Sequence, residues 1–522
     1  MARYLIKGDV SGIQEFIFNV PSKGAARELK ARSFYVSLIT TLAVEYILDE
    51  INCINPDERN KRLFFNGGGN FFLLLEEPEF SQDVMIRWQS FFDAELINDE
   101  ISLILSYVKL SEDGFSEDWR QLRLEGNRNK LTPLSTQFDQ LFTPYNDGHA
   151  DGNGSTGHWK RTVAFLSKSL TQKNSFKEME SGASLFGRDV AAYLTENNML
   201  EGIFLPQWDQ PLMEAVEAHK ADNPKPEARD TNKEIEPKEG NVIDFGHLAE
   251  FAQWRTGTDL IGVLKMDIDD LSRLFGTEKS ETEFALLSEQ LQMFFEREIK
   301  RLLSEEASDL FGETIEFKHN IYPVFVGGDD CFFIGAWDAI LAFASQMNSA
   351  FRVFAESLVN DPSFKSVTEP LTLSAGIILI DHHYPVVRFA DMAEEALGRS
   401  KSRMTEDRLV KNGITLFNET YSWEAYDFIV SRANVLKELV MQKGERKALL
   451  RRIIMQADGY QNDLIEDNEF SPLPKVWRLK FYLRNAKSEE NRKVIEDEIF
   501  SDYVDSLIEG YVEKSGGQPM RF

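Results

Sequence analysis

Cysteine is scarce: the 522 residues hold two, Cys53 and Cys331. Two thiols build neither a disulfide framework nor a four-cysteine zinc knuckle. No apolar stretch reads as the roughly eighteen residues that a bilayer span needs, and no signal-peptide pattern opens the chain. We therefore expect a cytoplasmic protein with no membrane partner. Basic charge is also short, with 58 Lys and Arg against 86 Asp and Glu. The formal charge of −28 argues against a broad nucleic-acid-coating surface. Local basic groups remain near the C-terminus. They are Lys443, Arg446, Lys447, Arg451 and Arg452, then Lys475, Arg478, Lys480, Arg484 and Lys487 around Trp477 and Phe481. A solvated helical face and a nucleic-acid contact both fit them.

What the chain does have is an internal echo. Gly327-Gly328-Asp329-Asp330 sits between two apolar runs, Ile321 to Val326 and Cys331 to Ile334. Gly67-Gly68-Gly69-Asn70 sits the same way between Leu63 to Phe65 and Phe71 to Leu75. Each reads as a β-hairpin whose glycines supply the positive φ of a tight turn. Upstream, the near-continuous apolar run Leu260 to Ile268 predicts a buried strand that delivers Asp267, Asp269 and Asp270. Tyr4 to Val10 delivers Asp9 in the matching place, followed by Ser11 and Gly12. Asp9 to Gly69 spans 60 residues and Asp267 to Asp329 spans 62. A long helical stretch follows each strand, roughly Ala25 to Glu50 and Glu281 to Leu303. A further strand follows each hairpin, Ile101 to Leu110 and Leu371 to Ile380. The order βαββαβ occurring twice predicts an α+β fold with a duplicated ferredoxin-like unit.

The expected domains are a first unit over 1–112, an insert with a charged linker over 113–241, a second unit over 242–415, and an all-α domain over 416–522. Within the insert, Tyr145 to His158 is rich in Gly, Asn and Asp and reads as a flexible loop. Ala218 to Asn241, charged and almost without apolar residues, reads as a disordered linker. The tail places Ile429, Ala433, Leu436, Leu439 and Val440 at helical spacing.

Carboxylates gathered at strand ends repel one another unless a cation intervenes. Asp267 and Asp329, with Asp330, Asp269 or Asp270 completing the shell, would suit a pair of Mg2+ or Mn2+ ions serving nucleotidyl transfer. Gly-Gly-Asp-Asp alone is commonly just a hairpin. Its pairing with a buried strand ending in Asp-Ile-Asp-Asp is what points to a metal site.

These residues carry a resemblance. Gly327 to Asp330 resembles the signature of the palm domain in the large subunit of type III CRISPR effector complexes, a palm similar to GGDEF diguanylate cyclases and nucleotide cyclases. Gly8 to Ile17 (GDVSGIQEFI) with Lys30 to Tyr35 (KARSFY) resembles the Csm-type (III-A) form of that subunit. Ile261 to Leu271, Leu373 to Ile377 and Ala393 to Lys401 (AEEALGRSK) follow in family order. The resemblance implies two palms holding two ATP molecules, activation by target RNA bound to guide RNA, and polymerisation of ATP into cyclic oligoadenylates within a multisubunit ribonucleoprotein. Transferred by motif, Asp267, Asp329 and Asp330 are catalytic and metal-ligating. Ser11, Gly68, Gly69, Gly327, Gly328 and Lys401 bind nucleotide; the alternative for Lys401 is a solvated helix face.

Departures restrict this. Family members commonly begin with an HD phosphohydrolase domain that cuts single-stranded DNA, yet none of the seven histidines here is followed by aspartate. The resemblance therefore implies no such DNase. The insert contains no cysteine, so the zinc site that many members hold between the palms is expected to be absent. His382-His383 reads as two solvent-facing imidazoles. Two other functions stay open: a stand-alone nucleotide or diguanylate cyclase, and a non-catalytic scaffold subunit. Asp330 disfavours the diguanylate cyclase, whose signature has glutamate there.

Overall fold

The computed structural model describes residues 2–21, 24–96, 100–111, 114–132, 158–170, 184–199, 204–223, 237–275, 281–305, 307–310, 313–327, 330–405, 408–451 and 486–500. Gly328, Asp329, most of the expected loop at 145–158, and Arg452, Lys475, Trp477, Arg478, Lys480, Phe481 and Arg484 lie outside them. The chain divides into two compact units, Met1–Ser308 with Ile315–Trp423, and Asp309–Thr314 with Glu424–Phe522.

The first unit is mixed α and β. It begins with β1 (Arg3–Ser11), α1 (Ile13–Phe18), α2 (Ala25–Glu50), α3 (Pro56–Arg62), β2 (Leu63–Gly67), β3 (Asn70–Glu76), α4 (Gln82–Leu96) and β4 (Ser102–Lys109). The sheet order is β2-β3-β1-β4, antiparallel throughout. Then come α5 (Phe115–Asn129), α6 (His158–Ser169), β5 (Ser184–Leu185), β6 (Arg188–Asp189), α7 (Val190–Glu196), α8 (Gln210–Asp222) and α9 (Phe245–Thr256). A second sheet is built from β7 (Leu260–Ile268), β10 (Ile321–Gly327), β11 (Asp330–Ala336) and β12 (Leu373–Asp381). Between β7 and β10 lie α10 (Leu271–Phe275), α11 (Glu281–Glu305), β8 (Ala307–Leu310), β9 (Glu313–Glu316) and α12 (Phe317–Asn320). After β11 come α13 (Trp337–Asn360) and, beyond β12, α14 (Phe389–Lys401), β13 (Met404–Thr405), β14 (Arg408–Leu409), β15 (Gly413–Leu416) and β16 (Glu419–Ser422). The second order, β10-β11-β7-β12, repeats the first, and β15 and β16 extend it at the β12 edge.

The repetition reaches single residues. Asp9 pairs across the ladder with Asn70 as Asp267 pairs with Asp330, and Gly67↔Asn70 mirrors Gly327↔Asp330. Both hairpins even shift register at the same place, between Leu63 and Phe65 and between Pro323 and Phe325.

α2 corrects one expectation. Over its most apolar 18-residue window its mean hydropathy is 1.2, enough by length and composition to cross a membrane, and 78% of that window is buried in the fold. A helix apolar on most sides belongs where neighbours surround it. Leu29, Tyr35, Leu38, Ile39 and Leu42 are fully enclosed in a core that also takes Trp159 from the insert and Ile261, Val263 and Phe332 from the second sheet. Buried Arg32 fastens this junction. It donates to the Phe16 carbonyl at 2.7 Å and to Glu28 at 2.8 and 3.1 Å, and lies 4.6 Å over the Trp159 ring.

The expected disorder of 218–241 is corrected in part. α8 continues to Asp222, started by an Asp209 carboxylate that accepts from the Leu212 N–H; residues 224–236 lie outside the described set. In the second unit, α15 (Trp423–Lys437) leads into a π-turn over Glu438–Gln442, and α16 (Glu489–Val494) into another over Ile495–Phe500. Leu439, Leu449 and Ile495 form its small core.

Candidate functional site

β7 is apolar because both its faces are covered, and the exceptions mark the site. Side chains alternate along a strand. Ile261 and Val263 face the shared core, so Lys265 and Asp267 project on that same side, toward the first half of the unit. Asp330 is the direct cross-strand partner of Asp267, so the two carboxylates stand side by side at the tip of the sheet.

Cationic side chains meet them. Lys401, the last residue of α14, pairs with Asp267 Oδ1. Lys265, whose side chain is only 3% exposed, reaches Asp330 at 3.4 Å and pairs closely with Glu394 of α14. Burial pulls the Lys265 ammonium down, but the Asp330 charge and the Glu394 bond outweigh it and hold it above its ordinary value. For Glu394 burial pushes upward, and the Lys265 bond more than reverses this, aided by a hydrogen bond from Gln14 of α1. A polar chain thus runs from the first half into the second: Gln14, Glu394, Lys265, Asp330.

The two hairpin tips touch. A Cβ on Gly327 would lie 2.5 Å from the Gly68 nitrogen and 2.8 Å from its Cα, so only glycine fits there. Gly68 and Gly69 turn with φ of +60° and +78°, and the Gly69 carbonyl accepts from the Val10 N–H at 2.8 Å. Ser11 ends β1 opposite Ser102. Asp267, Asp330 and Lys401 therefore gather at the second tip. Gly327 meets Gly68 beside it, while Ser11 and Gly69 belong to the first tip.

Asp269 and Asp270 take no part in this cluster, contrary to the expectation that either could complete a metal shell. Asp269 is buried; it accepts from Thr372 Oγ1 and Ser374 Oγ at 2.8 Å each and from the Asn412 N–H at 3.0 Å. Burial raises its carboxyl above the usual range despite these bonds. Asp270, at φ +58°, pairs with Lys411 at 2.7 Å, which holds it low. Past the strand end the chain twists, so spacing alone could not tell which carboxylate looks inward.

Sequence reasoning missed the lysines of the first half. Asp9 contacts Lys7 at 2.6 Å and Lys130, the residue capping α5, at 2.8 Å. In the second half Lys401 pairs with Asp267, while Lys265 turns to Asp330 and Glu394. The available signal was a lysine two residues before each strand-end aspartate, Lys7-Gly8-Asp9 and Lys265-Met266-Asp267.

The donors at the second tip are carboxylate oxygens, which suit a hard divalent cation. The lysines drawn to Asp267 and Asp330 mark the same demand for positive charge, so these residues fit a metal.

Comparison with known proteins bears on both halves. Residues 260–410 match the family Cas10/Cmr2, second palm domain, and residues 2–147 match Csm1 subunit domain B. A Methanocaldococcus jannaschii relative, a CRISPR system single-strand-specific deoxyribonuclease Cas10/Csm1 of subtype III-A, is 26% identical over 80% of this chain and 59% of its own. A Mycobacterium tuberculosis relative of the same description is 25% identical over 80% of this chain and 54% of its own. This chain thus spans little more than half the length of those relatives. Among solved structures, a Csm1-Csm4 cassette in complex with one ATP superposes with a TM-score of 0.60, at 22% identity, covering 89% of this chain and 64% of that one. The same cassette with cA4 gives 0.59 at 20% identity, covering 89% and 63%. At that identity these likenesses speak for the fold.

Proposed function

This chain belongs to the Cas10/Csm1 family, the Csm-type large subunits of type III CRISPR systems, and from that premise we propose that it is a target-RNA-activated nucleotidyltransferase. It would join ATP into cyclic oligoadenylates as part of a cytoplasmic ribonucleoprotein with guide RNA, target RNA and other effector subunits. The observation that carries the reading is the cross-strand pairing of Asp267 with Asp330 on the face turned to the first half, with Gly327 seated against Gly68. Two ferredoxin-like palms meeting tip to tip give two nucleotides a common boundary. The complexes of the Csm1-Csm4 cassette with ATP and with cA4 support the choice of substrate and product.

In this reading the 3′-hydroxyl of one ATP attacks the α-phosphate of the other; the new P–O bond forms as the bond to pyrophosphate breaks. Asp267, Asp330 and the motif residue Asp329 would hold Mg2+ or Mn2+, which supplies charge neutralisation and lowers the pKa of the attacking hydroxyl. Lys401 would leave Asp267 for the triphosphate. Lys265, bonded to Glu394 and 3.4 Å from Asp330, would orient that carboxylate. Ser11, Gly68, Gly69, Gly327 and Gly328 would line the nucleotides where backbone must come close. The histidine-aspartate pair that would carry single-strand DNA cleavage occurs nowhere in the 522 residues, so nucleotidyl transfer is the activity we assign to them. The four domains proposed are 1–112, 113–241, 242–415 and 416–522.

The test incubates the purified assembly with ATP, Mg2+ or Mn2+, guide and target RNA, and identifies products by mass spectrometry. Cyclic oligoadenylates that vanish in Asp267→Asn/Asp330→Asn support the proposal. Cyclic di-GMP from GTP without RNA, or no turnover with normal assembly, overturns it in favour of the stand-alone cyclase or the scaffold.

A further inference from the structure

β12 carries a second polar cluster at its other end. Ser374 lies level with Asp267, whereas Asp381 pairs with Leu260 at the start of β7, seven residues further along and so about 23 Å away. The chain turns immediately after Asp381 into His382 and His383. Asp381 Oδ1 accepts from the His383 N–H at 2.8 Å and meets His383 Nδ1 at 2.9 Å. His382 Nδ1 stands 3.9 Å from the same oxygen, and the two imidazole rings are 3.9 Å apart between centroids.

His382 is not the solvent-facing imidazole expected of it. Its side chain is 22% exposed, and its Nδ1 is buried with no hydrogen-bond partner among the described residues. A buried imidazole nitrogen 3.9 Å from a carboxylate oxygen makes a pair of donors that one cation can join. Donor spacing agrees. Around zinc at about 2.0–2.1 Å, tetrahedral ligands sit about 3.3 Å from one another. One potential ligand atom from each of the three residues already lies within 4.8 Å of the others. Among the described residues this is the one such group of His, Cys, Asp and Glu.

We propose that Asp381, His382 and His383 form a site for a zinc-class divalent cation, separate from the oxygen-donor site at the hairpin. Two imidazoles and one carboxylate favour Zn2+, Co2+ or Ni2+ over Mg2+. The expectation of no zinc rested on absent cysteines, and this donor set needs none. Its place in the fold gives it a structural part: it pins the turn that leads from β12 into α14, the helix bearing Glu394 and Lys401.

The test uses the full chain stripped of metal by chelation, titrated with Zn2+ by calorimetry and with Co2+ by visible absorption. One equivalent with imidazole-type cobalt bands is expected, unaffected by excess Mg2+. Loss of even an outer-shell partner of a metal costs roughly 10–100-fold in affinity, so His382→Ala and His383→Ala should each weaken binding at least about tenfold. His383 is 73% exposed, and its variant should fold normally, which a thermal melt checks. Asp267→Asn/Asp330→Asn should leave this equivalent in place. Absence of a zinc equivalent in the parent chain, its survival in both histidine variants, or its loss only in the hairpin variant overturns the site.

Discussion

Adding one methyl group at Gly327 should part the two halves of the first unit. The Cβ of Gly327→Ala would meet the Gly68 nitrogen at 2.5 Å, whereas ordinary contact begins near 3.4 Å. The tips must separate by about 0.9 Å, and both partners are backbone, so no rotamer change absorbs it. Overpacking of this kind costs about 1–3 kcal/mol. In a unit of some four hundred residues that moves the melting midpoint only about 1–3 °C. Activity should suffer more, because a displacement of about 1 Å at reacting groups can cost about a hundredfold. The assay is the yield of cyclic oligoadenylates per assembled complex, read beside a thermal melt. Gly398→Ala is the control: this exposed helical glycine has nothing among the described residues within 4 Å of the added carbon, so the same change should stabilise by about 0.5–1 kcal/mol. Parent-like yield and midpoint in Gly327→Ala would refute the tip contact.

Three further outcomes follow from the packing. Asp269→Ala strips the acceptor from Thr372, Ser374 and Asn412 and should cost about 3–5 kcal/mol in urea unfolding, while Asp267→Ala at the rim should change stability by under about 1 kcal/mol yet abolish product. Lys30, whose ammonium donates to the Pro323 carbonyl at 3.0 Å, is pushed by burial down to about 8 from 10.5. Unfolding then takes up a proton between pH 8 and 10.5, so stability rises with pH across that window, by at most about 3 kcal/mol, and by less because the side chain is only partly buried. In Lys30→Met the slope of melting midpoint against pH should flatten there. Arg32→Lys keeps the charge but loses the fork to Glu28 and the stacking on Trp159, and should destabilise by about 2–3 kcal/mol with a change in tryptophan emission.

The duplication was legible because its signals are local. Glycine-bounded apolar runs announce hairpins, and a continuous apolar run announces a buried strand, whatever the rest of the chain does. The same locality misled at α2, where composition cannot distinguish a helix enclosed by protein from one enclosed by lipid. It misled again at Ala218 to Asp222, where the Asp209 cap and a tertiary face sustain a helix that polar composition argued against. Lys130 and Gln14 could not be found by spacing, since Asp9 and Glu394, their partners, lie 121 and 380 residues away.

By itself the sequence determined that this protein repeats one strand and helix order, with an acidic hairpin in only one of the two repeats, because side-chain identity at a turn is written residue by residue. Only the tertiary structure decided which of Asp267, Asp269 and Asp270 faces the opposing half, that lysines attend each strand-end aspartate, and that Gly327 rests on Gly68. Those facts depend on strand register, on the twist after Ile268, and on burial of a common core. The register and the tip contact are fixed between segments 63 and 259 residues apart, and of these facts only the lysine two residues before each aspartate has a local signal.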